Sequence, residues 1–108
     1  METTKRIDPR MALHCICRIM KEDAYVHGER DKNGHTFSAK VKIEHSLAGQ
    51  KSVFYIEVFD NFEWEISCDG SLREAEARGI VTSFMLLAKQ CPQSTLDNLY
   101  EELFRDKS

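Results

Sequence analysis

The stretch that decides the fold is FSAKVKIEHSLAGQKSVFYIEVFDNFEWEISC, residues 37–68. It contains three runs with the period of a β-strand, and the middle run is apolar on both faces. These two apolar sets are Phe54, Ile56 and Val58 on one face, and Val53, Tyr55 and Phe59 on the other. Because a strand with two apolar faces needs two covering layers, the sequence must supply both or recruit a partner.

The runs on either side of this strand each predict a strand with one buried face. In both, apolar residues alternate with Ser, Lys or Glu, which is typical of a half-buried strand. The predicted core-facing residues are Phe37, Ala39, Val41 and Ile43 in the first run, and Phe62, Trp64, Ile66 and Cys68 in the last.

Turn signals separate these strands and predict an additional one before them. Asn33-Gly34 is a strong hairpin signal and would pair residues 24–30 with residues 35–45. Residues 46–50 form a five-residue connection that contains glycine, and Asp60-Asn61 is suited to a two-residue loop. The result is a four-stranded antiparallel meander.

The N-terminal segment has two interpretations. Asp8-Pro9 is a good helix start, with an aspartate cap followed by proline. The composition Cys15-Ile16-Cys17 instead favours a strand, so residues 9–21 are predicted as a helix or an extra strand.

Two helices are predicted after the sheet. Ser71 and Glu74 have the spacing of a reciprocal capping box, and the helix that follows is expected to run to about Gln90. Cys91-Pro92 ends it, and Ser94 or Thr95 would cap the last helix. The predicted core stripes are Ala77, Ile80, Val81, Phe84 and Leu87 in the first helix, widened by Met85 and Leu86, and Leu96, Leu99, Tyr100, Leu103 and Phe104 in the second.

This order of elements predicts one α+β domain over residues 1–108, with residues 1–7 as a polar tail. We expect the two C-terminal helices on one face of the sheet, covering Phe54, Ile56 and Val58. The N-terminal segment, or a second copy of the protein, would then cover Val53, Tyr55 and Phe59.

Composition indicates an ordinary soluble protein, since 42% of residues are hydrophobic and 31% are charged. The formal charge of −3 argues against a general nucleic-acid binder. The longest apolar run is far below the roughly 18 residues that cross a bilayer, so no membrane partner is expected. Without a signal peptide, the four cysteines are interpreted as reduced and the protein as cytoplasmic.

The sequence gives little support for a metal site or a catalytic site. His14, Cys15 and Cys17 invite a metal site, but zinc knuckles use a Cys-x₂₋₄-Cys spacing, so two buried core thiols are the simpler interpretation. Glu57, Glu63 and Glu65 are most simply a solvated strand face. We therefore expect no cofactor, no metal and no catalytic residue.

One hairpin is basic and next to aromatic residues, which suits single-stranded nucleic acid. Its basic residues are Arg30, Lys32, Lys40 and Lys42. Glutamates on the same predicted face would repel phosphates, so this is an alternative. The acidic residues Asp97, Glu101, Glu102 and Asp106 are interpreted as the wet side of the last helix.

The sequence thus favours a small non-catalytic protein-interaction module, an inhibitor or adaptor that occupies a partner's surface or pairs with itself as a homodimer. Toxin-immunity proteins and phage-encoded inhibitors of host defence are proteins of this type, although no motif links the chain to them. The expected binding residues are Tyr55, Phe59, Val53, Lys40 and Lys42. The alternatives are nucleic-acid binding through the two lysines, and a small metal protein or enzyme using His14, Cys15 and Cys17.

Overall fold

The N-terminal segment is a helix, α1 (Pro9–Met20). The computed structural model describes the backbone of residues 5–105 and the side chains of residues 5–102. Asp8 caps α1 as predicted, because its Oδ1 accepts hydrogen bonds from the backbone N–H groups of Arg10 at 3.0 Å and Met11 at 3.2 Å. Lys21, with φ of 60°, ends the helix in a left-handed conformation.

The four predicted strands form one antiparallel sheet in the order β1-β2-β3-β4. The strands are β1 (Val26–Arg30), β2 (Thr36–Leu47), β3 (Gln50–Phe59) and β4 (Trp64–Ile66). Val41 pairs with Val26 on one side and with Ile56 on the other, and Ile56 in turn pairs with Ile66. All four side chains are buried, so this register aligns one apolar row across the whole sheet.

The first hairpin is confirmed, but the other two turns differ from the prediction. β2 continues to Leu47, so the second loop has two residues, Ala48 and Gly49, with φ of 53° and 80°. Positive φ at both positions defines a type I′ turn, whose twist matches the flanking strands. A five-residue loop would have forfeited several ladder hydrogen bonds.

The third turn has three residues instead of two. The N–H of Phe59 donates to the carbonyl of Glu63 at 2.8 Å, and Phe62 lies at φ of 73°. Gly34 occupies the same left-handed position in the first hairpin, with φ of 81°. Because a bulky side chain disfavours this conformation, the half-buried ring of Phe62 must offset its cost by packing on the core.

Two strand ends predicted to be buried are exposed. The pairing of β1 with β2 shifts register between Glu29 and Arg30, and Phe37 at this irregularity is 41% exposed. β4 ends at Ile66, so Cys68 lies outside the strand and is exposed. In contrast, Ile7 from the predicted polar tail is buried, and its N–H donates to the carbonyl of Asp60 at 3.0 Å.

The C-terminal helices are α2 (Leu72–Gln90) and α3 (Gln93–Arg105). Ser71 caps α2 by accepting a hydrogen bond from the N–H of Glu74 at 3.0 Å. The capping box is not reciprocal, because the N–H of Ser71 donates to Asp69 and the Glu74 carboxylate binds Arg78. α3 begins directly after Pro92, not at a Ser94 or Thr95 cap.

The core stripe of α2 is rotated from the predicted one. Met85 is 3% exposed and belongs to the core, whereas Leu87 is 66% exposed. The buried residues of α2 are Glu74, Ala77, Val81, Met85 and Ala88. Two alanines and a valine in this stripe let α2 pack close to α1 and β3, while the larger Ile80 and Phe84 lie half-buried on its flank. For α3, Leu96 and Tyr100 are buried as predicted, and the side chains of Leu103 and Phe104 lie outside the described residues.

α1 is the main cover of the Phe54 face. It lies against β1, β2 and β3 and also contacts α2, and its Leu13 and Ile16 are fully buried. Leu96 and Tyr100 of α3 are buried in the same core cluster as the apolar residues of α1. All three helices therefore lie on one side of the sheet, and the expectation that the N-terminal segment covers Val53, Tyr55 and Phe59 is wrong.

The left-handed conformation of Ala48 predicts a stabilising substitution. Ala48→Asn should raise the free energy of unfolding by about 0.5–1 kcal/mol, because Asn tolerates positive φ better than Ala. Urea unfolding followed by circular dichroism measures the change. Ala75→Asn is the matched control, since this exposed alanine lies in α2, where asparagine lowers helix stability. Equal effects at both positions would contradict the turn assignment.

Candidate functional site

The five predicted binding residues lie on one face of the sheet. Lys40, Lys42, Val53, Tyr55 and Phe59 alternate along β2 and β3 with the buried residues of the core. Since successive side chains of a strand point to opposite faces, all five point away from the helices. We call this surface, without any helix over it, the open face.

Aromatic and aliphatic groups on the open face are only partly accessible. Tyr55 is 39% exposed, while Val53 and Phe59 are half-buried although none of the described helices covers them. Long neighbouring side chains provide some of this cover, because the ammonium of Lys40 lies 5.3 Å from the centre of the Tyr55 ring. This is a cation–π contact, and it positions a charge beside the exposed ring.

Lys42 and Glu44 form an ion pair on the same strand. Lys42 Nζ lies 2.9 Å from Glu44 Oε1. The hydrogen bond that Lys42 donates to Glu44 lowers the pKa of Glu44 below its ordinary value, and the same bond raises the pKa of Lys42. Both side chains are fully charged at neutral pH, so this part of the open face presents a fixed dipole rather than an excess of one sign.

A row of ionisable groups crosses the sheet at one level. The register places His27 of β1 beside Lys40 of β2, Lys40 beside Glu57 of β3, and Glu57 beside Glu65 of β4. These four side chains all belong to the open face, because their strand neighbours Val26, Val41, Ile56 and Ile66 are buried on the other. The row therefore runs from an imidazole and an ammonium on β1 and β2 to two carboxylates on β3 and β4, and His27 Nε2 also lies 3.4 Å from Glu29 Oε1.

Glu57 and Glu65 are a like-charge pair on adjacent strands. They lie directly opposite each other, an arrangement that destabilises a sheet by roughly 0.2–1 kcal/mol. Among the side chains of residues 5–102, none of the ion pairs involves either carboxylate. Among the described side chains, these two acidic groups of the open face therefore form no ion pair.

A shallow groove of about 540 Å³ continues from this pair around the edge of β4. Trp64, half-buried, and Arg78 of α2 contribute to its wall, and Arg78 Nη2 donates to the carbonyl of Ile66 at 3.0 Å. The full lining is Lys40, Tyr55, Glu57, Trp64, Glu65, Ile66, Ser67 and Arg78. Sequence reasoning missed Trp64 and Arg78 as site residues. A tryptophan in a short edge strand was the available signal for the first, and no pattern indicated the second.

The edge of β3 beyond β4 is protected by side chains. The N–H of Tyr55 donates to Ser67 Oγ and the N–H of Val53 donates to Asp69 Oδ2, both at 2.8 Å. Hydrogen bonds from Ser71 lower the pKa of Asp69; the bond from its hydroxyl has the larger effect and the bond from its N–H the smaller. Because the ionised carboxylate and the hydroxyl occupy these backbone donors, this edge is closed to another strand. The open face of β3 remains accessible.

The basic residues proposed for nucleic acid do not share one face. Lys40 and Lys42 lie on the open face, but Arg30 has the same strand parity as buried Val26 and points to the helical side. Lys32 lies in the first turn. Glu44, Glu57 and Glu65 accompany the two remaining lysines, so the open face has no continuous basic track.

The candidate metal residues lie in α1, where both cysteines are buried. Burial raises the pKa of Cys15 to about 12 and that of Cys17 to about 11, so both thiols are protonated at neutral pH. Across the described part of the chain, no group of three or more His, Cys, Asp or Glu side chains has the geometry of a metal site.

A second polar cluster joins three elements on the helical side. Glu22 Oε2 accepts a hydrogen bond from Arg73 Nε and lies near His45 Nδ1, both at 3.1 Å. Arg73 also donates to the carbonyl of Met20 at 2.6 Å. The cluster ties the end of α1 to β2 and α2, which is a structural role.

No protein-family model, no curated protein and no solved structure matches the chain. Among residues 5–105, no helix is both long and apolar enough to cross a bilayer.

The like-charge pair predicts that Glu65→Lys stabilises the fold. Placing a cation opposite Glu57 should raise the free energy of unfolding by roughly 0.2–1 kcal/mol, and added salt should reduce the gain. Urea unfolding in dilute solution measures it. Glu65→Gln, which removes the repulsion without adding an attraction, should give a smaller gain. Equal stability of all three proteins at low salt would show that the two carboxylates do not interact.

Proposed function

We propose that the protein is a small non-catalytic interaction module, an inhibitor or adaptor that binds another protein through the open face. The observation that supports this is the uncovered second face of β3, which keeps Tyr55 partly exposed beside Val53 and Phe59. Tyrosine is enriched among residues that dominate binding energy. The polar residues around it have the mixed composition of a protein-binding rim.

The charges of the open face favour a protein partner over nucleic acid. Lys40, Lys42 and Lys51 are interleaved with Glu29, Glu44, Glu57 and Glu65. Phosphate backbones require a basic excess, whereas protein surfaces offer both signs and select partners by their arrangement. Mixed charges therefore suit a specific protein contact.

The proposal extends to the type of protein and its location. Inhibitors such as toxin-immunity proteins act by occupying a surface and need no reactive group, which agrees with protonated, buried thiols at Cys15 and Cys17. Reduced thiols in the core suit a reducing compartment, so we place the protein in the cytoplasm.

Affinity capture tests the binding surface. The tagged protein is mixed with lysate of the cells that encode it, and bound proteins are quantified by mass spectrometry. Tyr55→Ala should remove most of a specific partner, because it deletes the central exposed ring. Phe59→Ala should do the same, provided that circular dichroism shows a native fold.

Leu72→Ala is the matched control for this experiment. Leu72 is 90% exposed on α2, on the helical side of the molecule. Its substitution should leave the captured proteins unchanged. If the open-face variants capture the same proteins in the same amounts as wild type, the open face is not the binding surface.

A separate experiment tests the alternative that the protein binds nucleic acid. Fluorescence anisotropy with single-stranded RNA and DNA at low salt should show no binding that depends on Lys40 and Lys42. Affinity that falls steeply with salt, and is lost in the Lys40→Glu, Lys42→Glu double variant, would establish nucleic-acid binding instead. The Lys32→Glu, Lys89→Glu double variant has the same net charge and separates a local contact from a general charge effect.

A further inference from the structure

We propose that a second copy of the chain is a partner of the open face, so that the protein forms a dimer of two sheets packed face to face. This inference rests on the proposed function, because it uses the same surface. It follows from the order of charges across the sheet and from the two acidic groups that remain unpaired.

The row of His27, Lys40, Glu57 and Glu65 is complementary to itself under a two-fold rotation. The two-fold axis lies in the interface between the two sheets, parallel to the strands and above the gap between β2 and β3. A rotation of 180° about this axis keeps the row at the same level in the second copy and reverses its order. Lys40 then lies over Glu57 of the second copy, and His27 lies over Glu65 of the second copy. Such a contact is isologous, since each pair occurs twice.

This arrangement supplies Glu57 and Glu65 with partners from the second copy. Glu57 and Glu65 lie opposite each other without an ion-pair partner among the described residues. In the dimer, each pair of carboxylates faces Lys40 and His27 of the second copy. The repulsion that the monomer tolerates becomes an attraction between copies, which also fixes their register.

The same rotation brings lysine against tyrosine at the neighbouring level. Lys42 is paired with Tyr55 in the register of β2 and β3, so Lys42 of one copy lies over Tyr55 of the other. The exposed ring then accepts a cation from the second copy in addition to Lys40 of its own chain. Tyr55 would become the buried centre of the interface.

The dimensions predict a reversible dimer. Stacked sheets lie about 10 Å apart with their strands within about 30° of each other, a distance that lysine and glutamate side chains can span. The contact is carried mainly by the long β2–β3 hairpin, because the outer strands β1 and β4 are short. We therefore expect an interface smaller than the roughly 800 Å² per partner of a standard one. The dimer should therefore dissociate on dilution and weaken with salt.

The decisive experiment uses two complementary variants in sedimentation velocity at low salt. The acidic variant carries Lys40→Glu and Lys42→Glu, and the basic variant carries Glu57→Lys and Glu65→Lys. In either variant alone, positions 40 and 57 of facing copies carry the same charge, so each alone should be monomeric at concentrations where wild type is dimeric. Mixed in equal amounts, the two should form a heterodimer, because position 40 of each copy then faces the opposite charge at position 57 of the other.

The Lys32→Glu, Lys89→Glu double variant has the same net charge as the acidic variant. It is the control for that variant and should dimerise like wild type. A wild-type protein that stays monomeric at every concentration would overturn the inference, as would a dimer that neither variant weakens. Recovery in the mixture shows that both variants are folded and that the contact is electrostatic.

The outcome separates this inference from the proposed function. A monomeric wild type whose captured partner still depends on Tyr55 would overturn the dimer and leave the interaction module intact. A charge-dependent dimer with no captured protein that depends on Tyr55 would support the dimer and contradict the inhibitor or adaptor role.

Discussion

The packing of α1 against the sheet is the contact on which the rest of the structure depends. Leu13 and Ile16 are fully buried against the face that contains Phe54, Ile56 and Val58. Each such side chain contributes about 1.5–3 kcal/mol by leaving water, so this layer supplies much of the stability of a small domain. Once α1 occupies that face, α2 and α3 pack beside and upon α1. Among residues 5–105, all three helices then lie on that side, and the opposite face stays uncovered.

The open face is consequently a product of how the helices are distributed. A second covering layer would bury Tyr55, Val53 and Phe59, but it would also bury Lys40, Lys42, Glu57 and Glu65, whose desolvation is costly unless each is paired. The chain instead leaves this face to solvent and closes the adjoining β3 edge with Ser67 and Asp69. Edge protection limits uncontrolled strand addition, while the face remains available for a specific partner.

Backbone conformation shows where local preference yields to packing. Ala48 and Phe62 both adopt positive φ in hairpin loops, where glycine or asparagine would be less strained. At Ala48 the neighbouring Gly49 and the length of the β2–β3 ladder impose the turn. At Phe62 the ring packs against the core, so tertiary contact outweighs the local cost. These exceptions explain why two of the three predicted loop lengths were wrong.

By itself, the sequence determined the four strands, the cap at Ser71, and the set of residues on each face of β3. These features depend on side-chain period and on local hydrogen bonds, which neighbouring residues specify. Only the tertiary structure decided that α1 is a helix on the same side as α2 and α3, that Met85 rather than Leu87 is buried, and that the charges form a row across four strands. Each of these depends on contacts between residues distant in the chain, and local periodicity carries no information about which face a helix will cover.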